Sequence, residues 1–182
     1  TLTFSLTTAD APELVKTADA VATAWRQAGV KVTVQVYPIA ELNSSIIRPR
    51  SYDAILFGEA IGRSLDLFAF WHSSQRNDPG LNLSLYANSR ADTVLAQARA
   101  AANRIERDKF YSQFVEILAE DRPAVFLYAP EFVYVVPKKL QGVELGTMTI
   151  PADRFLWSSM WYMDTEHVWS IFTTAAQQAR LQ

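Results

Sequence analysis

The fold turns on "YDAILFGEAIGRSLDLFAFWHSSQRNDPG", residues 52–80. An apolar run over 54–57 ends at Gly58, and Glu59, Ala60, Gly62 and Arg63 follow before the aromatics Phe68, Phe70 and Trp71. Its length and turn-forming boundary suit a strand, and its unbroken apolar character suits one covered on both faces. In open α/β sheets, ligands sit outside the carboxyl ends of the strands. Glu59 is expected on that rim, with Gly58 and Gly62 leaving room beside it. A single carboxylate with no partner acid is better suited to receiving an ammonium than to shuttling protons. A solvated glutamate paired with Arg63 is the plain alternative, and the aromatics read equally as core or as ligand wall.

Upstream, "TLTFSLTT" alternates, with Leu2, Phe4 and Leu6 on one face, as a half-buried strand does. Asp10 and Glu13 have the spacing of a helix capping box, with Pro12 in the first turn. Leu14, Ala18, Val21, Ala22 and Trp25 share one helical face, and Gly29 supplies the stop. "KVTVQVY" alternates again, with Val32, Val34 and Val36 inward, and a short helix from about Ala40 to Arg48 leads to the 52–57 run. Strands separated by helical crossovers run parallel with right-handed connections. The fold class is therefore α/β. Downstream, helices are expected from Ser89, and from about Arg104 to Asp121. Two further strands, "AVFLYA" and "EFVYVVP", then flank Pro130. Beyond Pro137 the texture becomes loop-like and aromatic. The expected division is a ligand-binding lobe over 1–137 and a C-terminal segment over 138–182.

The chain has 182 residues, 49% hydrophobic and 20% charged, with a net charge of −2. That balance gives no nucleic-acid footprint and no electrostatic steering to a membrane. With no cysteine, thiolate chemistry, disulfides and cysteine metal sites are excluded. His72 and His167 are the only histidines, and local spacing gives neither the carboxylates of a metal site. "WHSS" lacks the signal of a nucleophile elbow, and neither a Walker A nor a GxGxxG pattern occurs. No cofactor is expected. The opening "TLTFSLTT" has no basic n-region or apolar signal core. The chain is thus expected to be cytosolic or to have lost a leader, and the resemblance below favours the second.

The order "YDAILFG…LDLFAFWHSS…LYAN…ADTVLAQARAA…ERDKFYSQFVEILAEDRPAVFLY" resembles the C-terminal lobe of family 5 bacterial extracellular solute-binding proteins. These are the receptors of peptide and nickel ABC importers. The resemblance runs over about residues 1–172; "AGVKVTVQV" is similar to the family's strand entry and "TEHVWSIF" to its close. It implies a type II periplasmic-binding-protein lobe with a mixed, mostly parallel sheet flanked by helices. It further implies a missing N-terminal lobe onto which the tail packs, and a location outside the cytoplasm.

The implied partners are an oligopeptide or similar solute and a membrane permease, with no nucleic acid. In peptide-binding members an aspartate after the "YD" strand pairs with the peptide's α-amino group, and Glu59 occupies about that position. The sequence departs from the pattern in having Glu there, and Arg63-Ser64 near the usual Asp-Pro. The candidate ligand-binding residues are Gly58, Glu59, Ala60, Arg63, Phe70 and Trp71, with no catalytic or metal-binding residue. Two other classes remain open: an enzyme using Glu59 and His72 as an acid/base pair, and an interaction module built on the aromatic tail. On the missing-lobe expectation, Phe155, Trp157, Trp161, Tyr162 and Trp169 bury a surface that the other lobe covers.

Overall fold

The computed structural model describes residues 1–62, 65–146 and 148–163. Its contacts divide the chain into two compact units, Thr1–Leu127 and Tyr128–Gln182.

The first unit opens with β1 (Thr3–Ala9), α1 (Pro12–Gln27) and β2 (Lys31–Tyr37). A short helix α2 (Ile39–Glu41) then widens into a π turn over Leu42–Ile47 before β3 (Ala54–Ile55). All three strands are parallel in the order β2-β1-β3, with Thr3 opposite Lys31 and Thr7 opposite Ile55. The crossover helix α1 buries Ala18 and Ala22 against Leu6 and Val32, and Phe4 meets Trp25 edge-on at 5.2 Å. The α/β reading of the sequence agrees with this layer.

Three local expectations are corrected. β1 is the central strand, so Thr7 and Thr8 are buried along with Leu6 and Ala9. Burial is tolerable because their hydroxyls are satisfied: Thr8 Oγ1 donates to the Leu56 carbonyl at 3.1 Å, and Thr7 Oγ1 to Gln35 Oε1 at 3.5 Å. β3, by contrast, is short and half-buried at the sheet's edge, because among the described residues nothing pairs with its other side. Asp10 does not cap α1. Its N–H donates to the Tyr37 carbonyl at 3.0 Å, which extends the ladder, and Ala11 takes the N-cap without a side-chain bond.

The rest of the unit packs α3 (Phe68–Trp71) against the helix pair α4 (Ser89–Ala100) and α5 (Arg104–Asp121). Trp71, Tyr86, Ala91, Leu95, Phe114, Ile117 and Leu118 form this second core. Asn88 caps α4 by accepting from the N–H groups of Arg90 and Ala91, and Asn103 caps α5 through Glu106 N–H. The helix boundaries expected at Ser89, Arg104 and Asp121 are those observed.

The two later strands are the largest departure. Neither 124–129 nor 131–137 joins a ladder among the described residues. A strand needs a partner for its N–H and C=O groups, and β propensity alone supplies none. In the second unit the only pairing described is antiparallel, between β4 (Leu140–Gln141) and β5 (Tyr162–Met163). Its aromatics gather locally: Tyr134, Phe155 and Trp161 have ring centroids 5.9, 6.1 and 6.5 Å apart. The Arg154 guanidinium lies 4.4 Å from the centre of the Phe155 ring. Phe155, Trp157 and Tyr162 are exposed, and Trp169 lies outside the described residues.

Candidate functional site

The order β2-β1-β3 makes the carboxyl end of the sheet a topological switch point. The chain leaves β1 for one neighbour and returns to it from the other side, which opens a crevice between β1 and β3. β3 delivers the chain to that rim. Leu56 N–H donates to the Thr7 carbonyl at 2.8 Å, so the ladder holds as far as residue 56. Phe57, Gly58, Glu59 and Ala60 then stand exposed in irregular backbone.

Glu59 makes no hydrogen bond or ion pair with any described residue, and Arg63 lies outside them. The residue is accessible to solvent, yet the protein around it removes enough water to push its carboxyl up to about 7. Water therefore still reaches the group, and so can a ligand. A carboxylate already partly desolvated gains more from an arriving cation than one in bulk water.

Gly58 and Gly62 stand in open space. A Cβ built at either meets nothing within 4 Å, and neither has a positive φ, so neither close approach nor backbone conformation requires glycine there. A close approach occurs instead at Gly80, where a Cβ would lie 2.2 Å from the Gln75 carbonyl oxygen.

The aromatics divide. Trp71 is buried in the second core, with its ring centroid 6.4 Å from that of Tyr86 and 6.2 Å from that of Phe114. Phe70 is half-buried against the same cluster. Phe68 stacks on His72 at 3.9 Å and an interplanar angle of 17°. His72 is itself engaged: its Nδ1 accepts from Ser74 N–H at 3.1 Å, and its Nε2 lies 3.9 Å from Asp92 Oδ1. These contacts fix the turn at Ser73–Gln75 and leave Glu59 out of the histidine's hydrogen-bonding set. Among the described residues there is no group of three or more His, Cys, Asp or Glu able to hold a metal ion.

Several residues that make the sequence familiar do structural work nearby. Tyr52 Oη donates to the Leu83 carbonyl at 2.6 Å, and Asp53 accepts from the N–H and hydroxyl of Ser5 at 2.9 and 2.8 Å. Those two bonds hold the Asp53 carboxyl below the usual range. The "YD" pair thus anchors β3 to β1 and to the loop over 81–86. Tyr86 and Asn88 both donate to Asp121 Oδ2, at 2.5 and 2.6 Å, and hold that carboxyl down as well.

Sequence inspection missed Asn82, which is wholly buried. Its amide donates to the carbonyls of Trp71, His72 and Tyr86, and its oxygen accepts from Tyr86 N–H and Ser84 Oγ. One available signal was the polar residue inside "LNLSLY", where alternation alone would have placed it outward.

No protein-family model matches the chain. The oligopeptide-binding protein AppA of Bacillus subtilis is 30% identical over 118 residues, which cover 64% of this chain and 22% of that protein. Its solved structure, in complex with a nonapeptide, superposes with a TM-score of 0.69 at 25% identity, covering 90% of this chain and 32% of that one. NikZ from Campylobacter jejuni, solved in complex with Ni(L-His), gives a TM-score of 0.63 at 25% identity over 88% of this chain and 33% of that one.

The relatives are family 5 solute-binding proteins. Within that family the probable D,D-dipeptide-binding periplasmic protein DdpA of Escherichia coli is 27% identical over 79 residues, 43% of this chain and 15% of that protein. The chain thus spans between a seventh and a third of the length of these relatives. Its fold is that of a type II periplasmic-binding-protein lobe. Among the described residues no helix is long and apolar enough to cross a membrane.

Proposed function

We propose that this chain is the C-terminal part of the substrate-binding component of an ABC importer. It binds an extracytoplasmic solute, an oligopeptide, in a cleft closed by a second lobe, and delivers it to a membrane permease. The ligand-binding lobe runs over 1–137, and 138–182 returns toward the other lobe. The observation that carries this is the position of Glu59: a lone carboxylate on the rim beyond β3, partly desolvated and without a described partner. Such a group suits the α-ammonium of a peptide. AppA, a relative, is an oligopeptide-binding protein solved with a nonapeptide, which supports the same solute class. Gly58 and Ala60 flank the carboxylate on the rim, and Arg63, four residues further along the sequence, is the candidate to receive a ligand carboxylate. Phe70 and Trp71 support the loop from the core side. No reaction is catalysed: the relatives are binding proteins, and His72 is committed to its turn.

Calorimetry on the full-length receptor tests this with a defined nonapeptide and its N-acetylated counterpart. A hydrogen bond to a charged group contributes about 1.5–3 kcal/mol, so Glu59→Gln should weaken the free peptide roughly ten- to a hundredfold. The acetylated peptide brings no ammonium and should be unaffected. Equal loss for both would make Glu59 a structural carboxylate.

A further inference from the structure

The loop carrying Glu59 is fastened at its far end by side chains from α4 and α5 that no solute-binding role has so far used. Leu65 has φ 50°, in the left-handed region that non-glycine residues occupy sparsely, so its surroundings must hold it there. On α5, Tyr111 Oη donates to the Leu65 carbonyl. On α4, Arg99 pairs with Asp66, and its guanidinium carbon lies 4.0 Å from the centre of the Phe68 ring. Phe68 in turn stacks on His72, so cation, ring and imidazole form a stack three deep. The restraint reaches the ligand side directly, because Leu65 N–H donates to the Gly62 carbonyl at 2.9 Å. At the near end, Leu56 is tied to Thr7 and Thr8. Glu59 therefore rides on a span fixed at residue 56 and at residue 62.

Arg99 is exposed and Asp66 half-buried, and Tyr111 only flanks the cluster of Leu95, Phe114 and Ile117 that packs α4 on α5. Exposed ion pairs add little to global stability, so these contacts are poorly placed as general fold stabilisers. They are well placed to restrict where the loop can go, which lowers the ordering cost of binding. We infer that Arg99 and Tyr111 are positioning residues for Glu59, setting affinity for the ligand's ammonium without touching the ligand. This rests on the amine-binding role of Glu59.

The test uses the full-length receptor, the free and N-acetylated nonapeptides, and the variants Arg99→Ala, Tyr111→Phe, Arg99→Lys and Glu59→Gln. Arg99→Ala and Tyr111→Phe should each weaken the free peptide roughly two- to fivefold, the scale of one exposed cation–π or charged contact. The acetylated peptide should bind as before. Arg99→Lys, which keeps the charge opposite Asp66, should recover part of the loss. Amide exchange at Leu65 and Leu67, both hydrogen-bonded in this turn, should quicken in the first two variants while exchange in α4 and α5 stays at the wild-type rate. Equal loss for both peptides, or no loss, would overturn the inference wherever Glu59→Gln does abolish the preference for the free amine. If Glu59→Gln leaves that preference intact, the amine role fails on its own account. The exchange rates then decide for the clamp: faster exchange upholds it, and unchanged exchange overturns it.

Discussion

β1 and residues 131–136 are similar as sequences and opposite as structures. "TFSLTTA" and "EFVYVV" are both rich in β-branched and aromatic residues. β1 lies between two parallel neighbours and buries Leu6, Thr7, Thr8 and Ala9. Residues 133–136 alternate in burial, with Tyr134 and Val136 half-buried and Val133 and Val135 80% and 86% exposed, yet 131–136 make no ladder among the described residues. Side-chain pattern decides which face turns inward; whether a strand forms at all depends on a partner for its backbone. An unpaired apolar edge is a liability that proteins cover. The proposed function, with a solved relative about three times as long, makes the rest of the receptor the place where that partner is expected.

The comparison can be broken first at the core. Phe114 is 1% exposed, and Phe114→Ala should cost about 3–5 kcal/mol in urea unfolding. Asn82→Ala comes next. It strips buried carbonyls and an N–H of their partner, at about 1–3 kcal/mol, and a loss below about 0.5 kcal/mol would mean that water replaces the amide. Val133→Ser should change this chain's stability by less than about 0.5 kcal/mol, as for exposed positions generally. In the longer protein the same substitution should cost about 1 kcal/mol, the span of strand propensities in a formed sheet. Equal effects in both would mean that the segment stays unpaired there too.

The smallest effect concerns Glu59 and has a definite sign. Its carboxyl is raised from 4.5 to about 7, so the folded chain favours the protonated form. Its contribution is full below pH 4.5, fades as pH rises through that window and is gone above 7. Glu59→Gln should therefore gain thermal stability relative to the unaltered chain at pH 8 and match it at pH 4. Because the residue is exposed, the gain should be slight.

What was legible in the sequence follows from the same contrast. Local signals were enough for α4 and α5, whose boundaries are set by Asn88, Asn103 and the Arg122-Pro123 break. The position of Glu59 followed from strand, glycine and carboxylate in order. Non-local pairing was not legible: nothing in "TFSLTTA" says that it lies centrally, and nothing in "YDAILF" says that it lies at an edge. Trp71 and Glu59 are neighbours in the same quoted stretch, but only the helix over Phe68–Trp71 directs the tryptophan into the second core. Asn82 and Leu65 matter through partners 11 and 46 residues away, and no local pattern encodes those.

The most direct test of the central claim is the pH profile of peptide affinity, measured by calorimetry on the full-length receptor. Glu59 must be ionised to receive an ammonium, and its carboxyl titrates at about 7. A peptide α-amine loses its proton near 7.7–8.0, so affinity should peak between about pH 7 and 8. It should fall roughly tenfold per unit on the acid side, and the acid limb should vanish in Glu59→Gln and for the acetylated peptide. A free-amine peptide that binds equally well from pH 5 to pH 8 would contradict the account.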